Sequence, residues 1–444
     1  MKKLSLSALA AVGVLAGITG ANAADLGGNC CADLEERIAE LEATTARKGN
    51  RKVSLTISGW VSQQVSVWDD GTERNAYISD IGVTLNSNFK MSGSAKITPD
   101  LSAGYLLHIE AESNSSIAYN ADTSRAGSGV KVLQSFWFLK SETLGKVSVG
   151  LQSSAVDNAA LLPDGSGSLI FANYIMYDIG SFQARLNGVK NSLNQPTFGA
   201  FATCGISNGA SLGMDCDGVP NNVIRYDTPT FAGFSASASW GEDDIWGVSG
   251  RYAGEFSGFK LAAAVGYMDS TDDNGAAPSF AASSRARGGL QAAALQAGAY
   301  IQHVPTGLFV YGAYGQDYND VTGATFGGAQ QIDGSNYYVK AGIRQKWTPL
   351  GASVLYGEYG VNDDKMTNAM WVNGVSSTQL TQWGVGFVQE IDAAAMSLFL
   401  NYRHYSADAT CRAGFAGCAG TGTLAGSNSF DDAQLVKAGA IINF

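Results

Sequence analysis

The last stretch of the chain, residues 434–444, shows a pattern of side chains that recurs along most of the sequence. Read with a period of two residues, one face carries only apolar side chains, those of Val436, Ala438, Ala440, Ile442 and Phe444. The other face mixes polar and apolar residues and includes Lys437. A strand of this kind is typical of a membrane barrel, in which one face meets lipid and the other meets water.

From residue 53 onward, segments with this two-residue period follow one another to the end of the chain. They are separated by clusters of Gly, Asn, Asp, Ser or Pro, which favour turns. The weakest segments are 173–179 and 245–253, so a count of sixteen strands stays open beside the full count of eighteen. The predicted strands are 53–67, 77–91, 101–112, 131–140, 146–152, 173–179, 182–190, 222–228, 234–240, 245–253, 258–268, 288–303, 308–316, 336–347, 352–361, 379–390, 396–405 and 434–444.

The connections between these strands alternate between two kinds. Short ones contain proline or glycine, as around Pro99, whereas long ones such as 153–172 are rich in Gly, Asn, Asp and Ser. The sequence therefore predicts an all-β fold, a transmembrane antiparallel β-barrel of 16–18 strands with short periplasmic turns and long extracellular loops. The alternative is a soluble β-sandwich, which would have to bury these large apolar faces between two sheets.

The composition supports the barrel. Only 15% of the 444 residues are charged and the mean hydropathy is near zero, yet after the first twenty residues there is no apolar run of the roughly 18 residues that a spanning helix needs. The sequence thus excludes a bundle of membrane-spanning helices. The formal net charge of -11 and the lack of a basic face argue against a nucleic-acid partner.

The amino-terminal part differs from the rest. Lys2 and Lys3 precede a short apolar run and a small-residue cleavage site, Ala21-Asn22-Ala23, which together indicate a secretory signal peptide rather than an uncleaved anchor helix. A period near 3.6 residues then predicts a short acidic amphipathic helix, either a small coiled coil that helps an oligomer assemble or a solvated spacer. The predicted divisions are 1–23 for the signal peptide, 24–51 for the periplasmic amphipathic helix and linker, and 52–444 for the transmembrane β-barrel.

Six cysteines in an exported protein predict disulfide bonds. The simplest pairing joins cysteines that are close in sequence within Gly/Asn/Asp-rich loops. These pairs are Cys204 with Cys216 and Cys411 with Cys418. Cys30 and Cys31 are neighbours whose partners stay open.

No catalytic or metal-binding pattern accompanies the strands. The chain has only three histidines and no His/Cys cluster with metal-ligand spacing. We therefore predict no enzyme activity, no metal and no cofactor. Lysine and arginine side chains within the strands fall on the polar face, as expected if a barrel of this width encloses an aqueous channel.

By these residues the sequence resembles the outer-membrane porins of alphaproteobacteria over nearly its whole length. The stretches that carry the resemblance are 29–36 (NCCADLEE), 52–59 (KVSLTISG), 225–234 (RYDTPTFAGF) and the terminal Phe444. The resemblance implies a homotrimer of barrels in the cell outer membrane, passive diffusion of small hydrophilic solutes, and a third long loop that folds into the lumen. It also implies sixteen strands rather than eighteen.

The third long connection, 153–172, contains the candidate residues of a pore constriction. If it folds inward, as the resemblance implies, its acids Asp157 and Asp164 would face lumenal arginines across a transverse field. The candidate arginines are Arg185, Arg225 and Arg251. The alternative is that both acids are ordinary solvated loop residues.

Three functions follow from this interpretation. The favoured one is an outer-membrane porin that forms a water-filled channel for passive diffusion of small hydrophilic solutes and ions. The second is a porin selective for a sugar or an organic acid, which predicts saturable block of the conductance by that solute. The third is a structural or adhesive surface barrel with negligible conductance.

Overall fold

The computed structural model describes residues 53–174, 177–189, 196–204, 215–241, 245–270, 291–320, 332–366, 370–371, 374–412 and 426–444. The predicted signal peptide and amphipathic helix lie outside these residues. The strand segments are β1 (Thr56–Asp69), β2 (Arg74–Ser79), β3 (Asn88–Lys96), β4 (Leu101–Glu112), β5 (Gly129–Ser141), β6 (Gly145–Gln152), β7 (Asn221–Asp227), β8 (Phe234–Gly241), β9 (Trp246–Phe256), β10 (Phe259–Ser270), β11 (Gln291–His303), β12 (Leu308–Asp320), β13 (Gly334–Thr348), β14 (Gly351–Asp363), β15 (Val375–Ile391), β16 (Met396–Cys411), β17 (Gly426–Ser429) and β18 (Ala433–Asn443).

These segments close into a single antiparallel barrel with sixteen wall positions. β2 and β3 share one position because both pair with β1, and β17 and β18 share another because both pair with β16. The last strand pairs with the first, from Trp60 opposite Asn443 to Asp69 opposite Gln434, so no edge is left open. The open choice between sixteen and eighteen strands is thereby settled at sixteen.

The two faces of the wall match the predicted alternation. On β18, Val436 and Ile442 are exposed on the outer face, whereas Leu435, Lys437 and Ile441 are buried on the inner face. The outer face is apolar all round the barrel. Among the described residues, no helix is long and apolar enough to cross a membrane.

The second predicted strand, 77–91, is wrong in its middle. The chain leaves the wall between β2 and β3, and residues 80–87 form an inward bulge that brings Ile81 and Leu85 into a buried cluster inside the barrel. A continuous strand over 77–91 would place both side chains on the outer, apolar face. Ser62 and Trp60 of β1 hold this bulge by donating hydrogen bonds to the carbonyl oxygen of Leu85.

The predicted strands 173–179 and 182–190 are also wrong. The structure has no wall strand between β6 and β7, which pair directly from Lys146 opposite Asp227 to Gln152 opposite Asn221. The connection 153–220 is hereafter called the inner loop, because its described residues, 153–174, 177–189, 196–204 and 215–220, lie inside the barrel. In contrast, 245–253, the other weak segment, lies within the wall strand β9.

The inner loop supplies much of the protein's buried apolar core. Its Phe182, Phe198 and Phe201 pack with Trp68 of β1 and Tyr405 of β16 in one cluster near the end of the barrel that carries the long connections. Earlier in the loop, Phe171 stacks on Phe399 of β16 with ring centroids 4.3 Å apart, in a second cluster. The alternation of 182–190 thus serves packing inside the barrel rather than a wall strand.

Candidate functional site

The inner loop follows the inside of the wall, and its first residues are held by two predicted arginines. Arg225 of β7 donates from Nη1 to the carbonyl oxygens of Ser153 and Ser154 at 3.1 and 2.8 Å. Arg251 of β9 donates to the carbonyl oxygen of Ala155 at 3.3 Å. Both guanidinium groups therefore bind loop backbone, and Arg225 also pairs with Asp227 at 2.7 Å.

Asp164 is anchored to strand β13 of the wall by a buried ion pair. Its carboxylate lies 2.5 Å from Nζ of Lys340 on β13, and both side chains are fully buried. Lys340 also donates to the carbonyl oxygen of Ala172 at 2.8 Å, so one ammonium group holds two points of the loop. The carboxylate of Asp164 thus points into the wall rather than into open lumen.

A second buried charge cluster holds the loop near residue 178. Asp178 lies 2.8 Å from Lys437 of β18 and 3.5 Å from Arg403 of β16. Arg403 is also paired with Glu358 of β14 at 2.7 Å and donates to the carbonyl oxygen of Asn173 at 2.6 Å. In this cluster every buried charge has an opposite charge beside it, as burial requires.

Arg185 lies in the inner loop and not on a strand. Its guanidinium is buried and pairs with Asp70 at 2.6 Å and with Glu73 at 3.2 Å, in the turn between β1 and β2. This contact ties the loop to the rim of the barrel. The structure does not bring Arg185 together with Arg225 and Arg251, which sit on the wall strands beyond β6.

Asp157, in the first part of the inner loop, is buried close to a second carboxyl group, that of Asp215. Burial, together with the neighbouring Asp215 carboxylate, raises the pKa of Asp157 to about 7. Burial and Asp217 raise the pKa of Asp215 as well. Asp215 comes from the end of the loop and accepts a hydrogen bond from the backbone N–H of Asn158 at 3.4 Å, so this pair joins the two ends of the loop.

The inner loop and the inward bulge are in contact inside the barrel. At Gly82 of the bulge, a Cβ atom would lie 2.8 Å from Cγ of Tyr177 in the loop, which shows how closely the two approach. Thr84 in the bulge has φ of 67°, a left-handed conformation that is unfavourable for a β-branched residue. The sequence does not distinguish this bulge from a continuous strand, because Ile81, Val83 and Leu85 keep the two-residue alternation.

A disulfide bond between Cys204 and Cys216, as predicted, links two residues in the last part of the inner loop. Cys411 is also disulfide-bonded, but its predicted partner Cys418 lies outside the described residues. Asp317 lies close enough to Cys204 and Cys216 for the three to resemble a metal site. Because both sulfur atoms are in the disulfide, they offer no thiolate to a metal, and Lys365 pairs with Asp317 at 2.6 Å instead.

Comparison with protein families decides the identity of the chain. The model of the Gram-negative porin family matches residues 7–410. The chain belongs to the Gram-negative porin family. A comparison with curated proteins finds no match at a significant level.

Solved structures show the same fold for this porin. It is similar to OprB of Pseudomonas putida, with a TM-score of 0.51 and 11% identity over 93% of this chain and 97% of that one. It is also similar to the outer-membrane channel DcaP of Acinetobacter baumannii, with a TM-score of 0.50 and 11% identity over 90% and 100% of the two chains. OmpT expressed in the outer membrane of Vibrio cholerae gives a TM-score of 0.50 and 11% identity over 89% and 99%. At such identities the likeness speaks for the fold alone.

This porin is therefore a multi-pass β-barrel of the outer membrane that forms a channel for small hydrophilic solutes. The structure brings Asp157, Asp164, Arg225 and Arg251 to the first part of the inner loop and the wall that it contacts, whereas Arg185 lies further along the same loop, at the rim of the barrel. Their role in a constriction stays a prediction. The two-residue period places Lys340, Lys437 and Arg403 on the inner face correctly. It does not identify Asp178, the partner of Lys437 and Arg403, because this residue lies in the segment 173–179 predicted as a strand.

Proposed function

We propose that this porin is a homotrimeric general diffusion channel in which the inner loop and the inward bulge together set the bore. The observation that carries the proposal is the series of buried ion pairs that fix the loop along the inner wall. A barrel of about 16 strands encloses an aqueous channel wide enough to need narrowing. No catalytic role forms part of the proposal.

The five predicted constriction residues act in this proposal mainly as anchors. Asp164 and Arg185 hold the loop through ion pairs, and Arg225 and Arg251 hold its first residues through backbone carbonyl groups. Asp157 joins the two ends of the loop through Asp215. The anchors determine how far the loop projects from the wall, and thereby which solutes pass.

The finer assignments rest on the sequence. The stretches 29–36 and 52–59 support placement in the alphaproteobacterial branch, and the amphipathic pattern within 24–51 supports a periplasmic helix that assists trimer assembly. Residues 1–23 act as the signal peptide in this proposal. Outer-membrane lipid covers the apolar outer face wherever a neighbouring barrel does not.

The test is single-channel recording of the purified protein in planar lipid bilayers. We expect conductance steps that close in groups of three, together with exclusion of polyethylene glycols above a sharp size limit. Steps that always close singly would contradict the trimer but leave the channel. Correctly inserted protein without conductance would contradict the diffusion channel and favour the structural barrel.

A further inference from the structure

The adjacent wall strands β1, β3 and β4 carry a cluster of polar and aromatic side chains. The cluster, hereafter the Trp60 cluster, consists of Trp60, Asn88, Lys90, His108 and Glu110. All five side chains lie on the inner face. Asn88 of β3 is opposite Trp60 of β1 on one side and Glu110 of β4 on the other, and Lys90 is opposite His108 in the adjacent row.

Trp60 and Lys90 form the accessible edge of the cluster. Both are only partly buried, and Nζ of Lys90 lies 4.8 Å above the Trp60 ring. His108 meets the same indole edge to face, with ring centroids 6.5 Å apart. Trp60 also packs against the buried apolar cluster that includes Ile81 and Leu85 of the inward bulge.

Behind this edge, two side chains have polar atoms without a hydrogen-bond partner in the described structure. They are Oδ1 of Asn88 and Nε2 of His108. Both side chains are more than nine-tenths buried. Oε2 of Glu110 lies in the same cluster and pairs with Nζ of Lys131 at 3.4 Å. Buried polar atoms are nearly always hydrogen-bonded in folded proteins, so two unpaired atoms in one cluster indicate a site that binds polar groups from the channel.

The charges of this neighbourhood favour a neutral ligand. Lys131 lies 3.4 Å from both Glu110 and Glu112, and Lys90 has no carboxylate within ion-pair distance among the described residues. A carboxylate ligand would meet the oxygen atoms of Asn88 and Glu110, and an ammonium ligand would meet Lys90. A hydroxyl group can donate to those oxygens and accept from Lys90, and a sugar ring also has apolar faces that suit an indole.

We propose that the Trp60 cluster is a binding subsite for small neutral polyhydroxylated solutes such as monosaccharides and disaccharides. A solute on the accessible edge displaces the flexible Lys90 side chain from the Trp60 ring. Its hydroxyl groups then reach Asn88, His108 and Glu110. The inference rests on the proposed diffusion channel and names a class of solute that the channel holds transiently.

The experiment records ion conductance through the intact protein while sucrose or glucose is added. Polyethylene glycol of similar mass is the control for viscosity, because its ether oxygens accept but do not donate hydrogen bonds. We expect sugar to reduce the conductance saturably, beyond the effect of the glycol. His108→Phe and Trp60→Leu should each raise the half-saturating sugar concentration, by about tenfold at most for one lost hydrogen bond.

Lys260→Gln provides the matched variant, because Lys260 lies on the inner face of β10, exposed and outside the cluster. Its sugar block should equal that of the wild type. Equal effects of sugar and glycol on an open channel would overturn the subsite but leave the diffusion channel intact. Stronger block by succinate than by sugar would overturn the neutral class, whereas absence of any conductance would count against the channel itself.

Discussion

The Lys340–Asp164 ion pair is a fully buried contact between the inner loop and the wall. Both groups are fully buried, and the ammonium also lies 5.7 and 5.6 Å from the ring centroids of Tyr311 and Tyr356. Removing one member of a buried ion pair leaves the other charge without compensation, which costs more than the pair itself contributes. The pair therefore fixes the loop chiefly because moving the loop away would leave a buried charge without its partner.

Lys340→Met should destabilise the protein by about 3 to 5 kcal/mol, because the Asp164 carboxylate is then buried without a counter-charge. The double variant Lys340→Met with Asp164→Leu should recover most of this loss, since no charge remains. Thermal unfolding followed by circular dichroism provides the measurement for both. A double variant no more stable than Lys340→Met would show that the penalty does not come from the unpaired carboxylate.

The Asp157–Asp215 pair predicts a loop that is held more firmly in acid. Because the pKa of Asp157 is raised to about 7, its carboxyl group keeps a proton in the folded protein at pH values where the unfolded chain, with a pKa near 3.9, has already released it. The stabilisation is therefore fully present below about pH 4 and is lost as the pH rises through about 7. Between pH 5 and pH 8 the melting temperature of the wild type should fall more than that of Asp157→Asn.

In the same comparison, Asp100→Asn serves as the control, because Asp100 lies exposed in a short turn far from the inner loop. Hydrogen bonds from Ser141 and Thr143 lower the pKa of Asp100, so its own titration is complete well below pH 5. The melting temperature of this variant should depend on pH as strongly as that of the wild type. Identical curves of melting temperature against pH for the wild type and Asp157→Asn would show that the Asp157–Asp215 pair is not the source of the dependence.

Side-chain direction within the inner loop could not be read from the sequence. In a strand, the period of two residues assigns each side chain to a face, and the charged residues of the strands were placed correctly on that basis. A loop has no such period. Asp157 and Asp164 were therefore expected in the lumen, whereas Lys340, distant in sequence, pairs with Asp164, and Asp157 is buried beside Asp215 of the same loop.

At the scale of elements, alternation alone does not distinguish a wall strand from a loop packed inside the barrel. Phe182, Ala184 and Leu186 alternate as in a strand, and all three are buried, but they face the apolar cluster of the inner loop. Most of the remaining wall strands were predicted within a few residues because lipid and water impose a consistent pattern on both faces. The exceptions are β16, which continues to Cys411 beyond the predicted end at 405, and the short β17, which was not predicted. The bulge at 80–87 escaped prediction since its apolar residues kept that pattern.

The contact between the bulge and the inner loop predicts a specific response to a substitution at Gly82. In Gly82→Val the new Cβ would lie within 3.0 Å of the Tyr177 ring, so the loop has to move away from the bulge. We expect a gap to open between the inner loop and the bulge, and the single-channel conductance to rise. Gly250→Val is the control, because a Cβ atom at Gly250 meets nothing within 4 Å.

Unchanged conductance in Gly82→Val, with the protein still folded, would place the narrowest point elsewhere in the channel. An equal rise in Gly250→Val would point to a general effect on the barrel. Size exclusion of polyethylene glycols, measured on the same two variants, separates a wider bore from a change in charge. The contact at Gly82 predicts a larger exclusion limit only for the variant in the bulge.

At the scale of the whole molecule, the wall strands pair only with one another, so the inner loop takes no part in closing the barrel. β6 and β7 are adjacent wall strands, and Gln152 lies opposite Asn221 at the point where the loop leaves and returns. A short Gly-rich turn can therefore join them without altering the register of the wall. The wall closes through its own strand pairs, from β1 round to β18.

Replacing residues 153–220 by such a turn should leave a barrel that inserts into membranes and conducts several-fold more current. The buried Lys340, Arg403 and Lys437 would lose Asp164 and Asp178, but they would then face water, where a charge needs no partner. The loss of apolar packing in the inner loop should lower the melting temperature. Heat-modifiable migration in gel electrophoresis verifies that the barrel is folded before its conductance is compared with that of the full chain. A folded barrel with the conductance of the wild type would mean that the inner loop does not set the bore, and would transfer that role to the wall and its inward bulge.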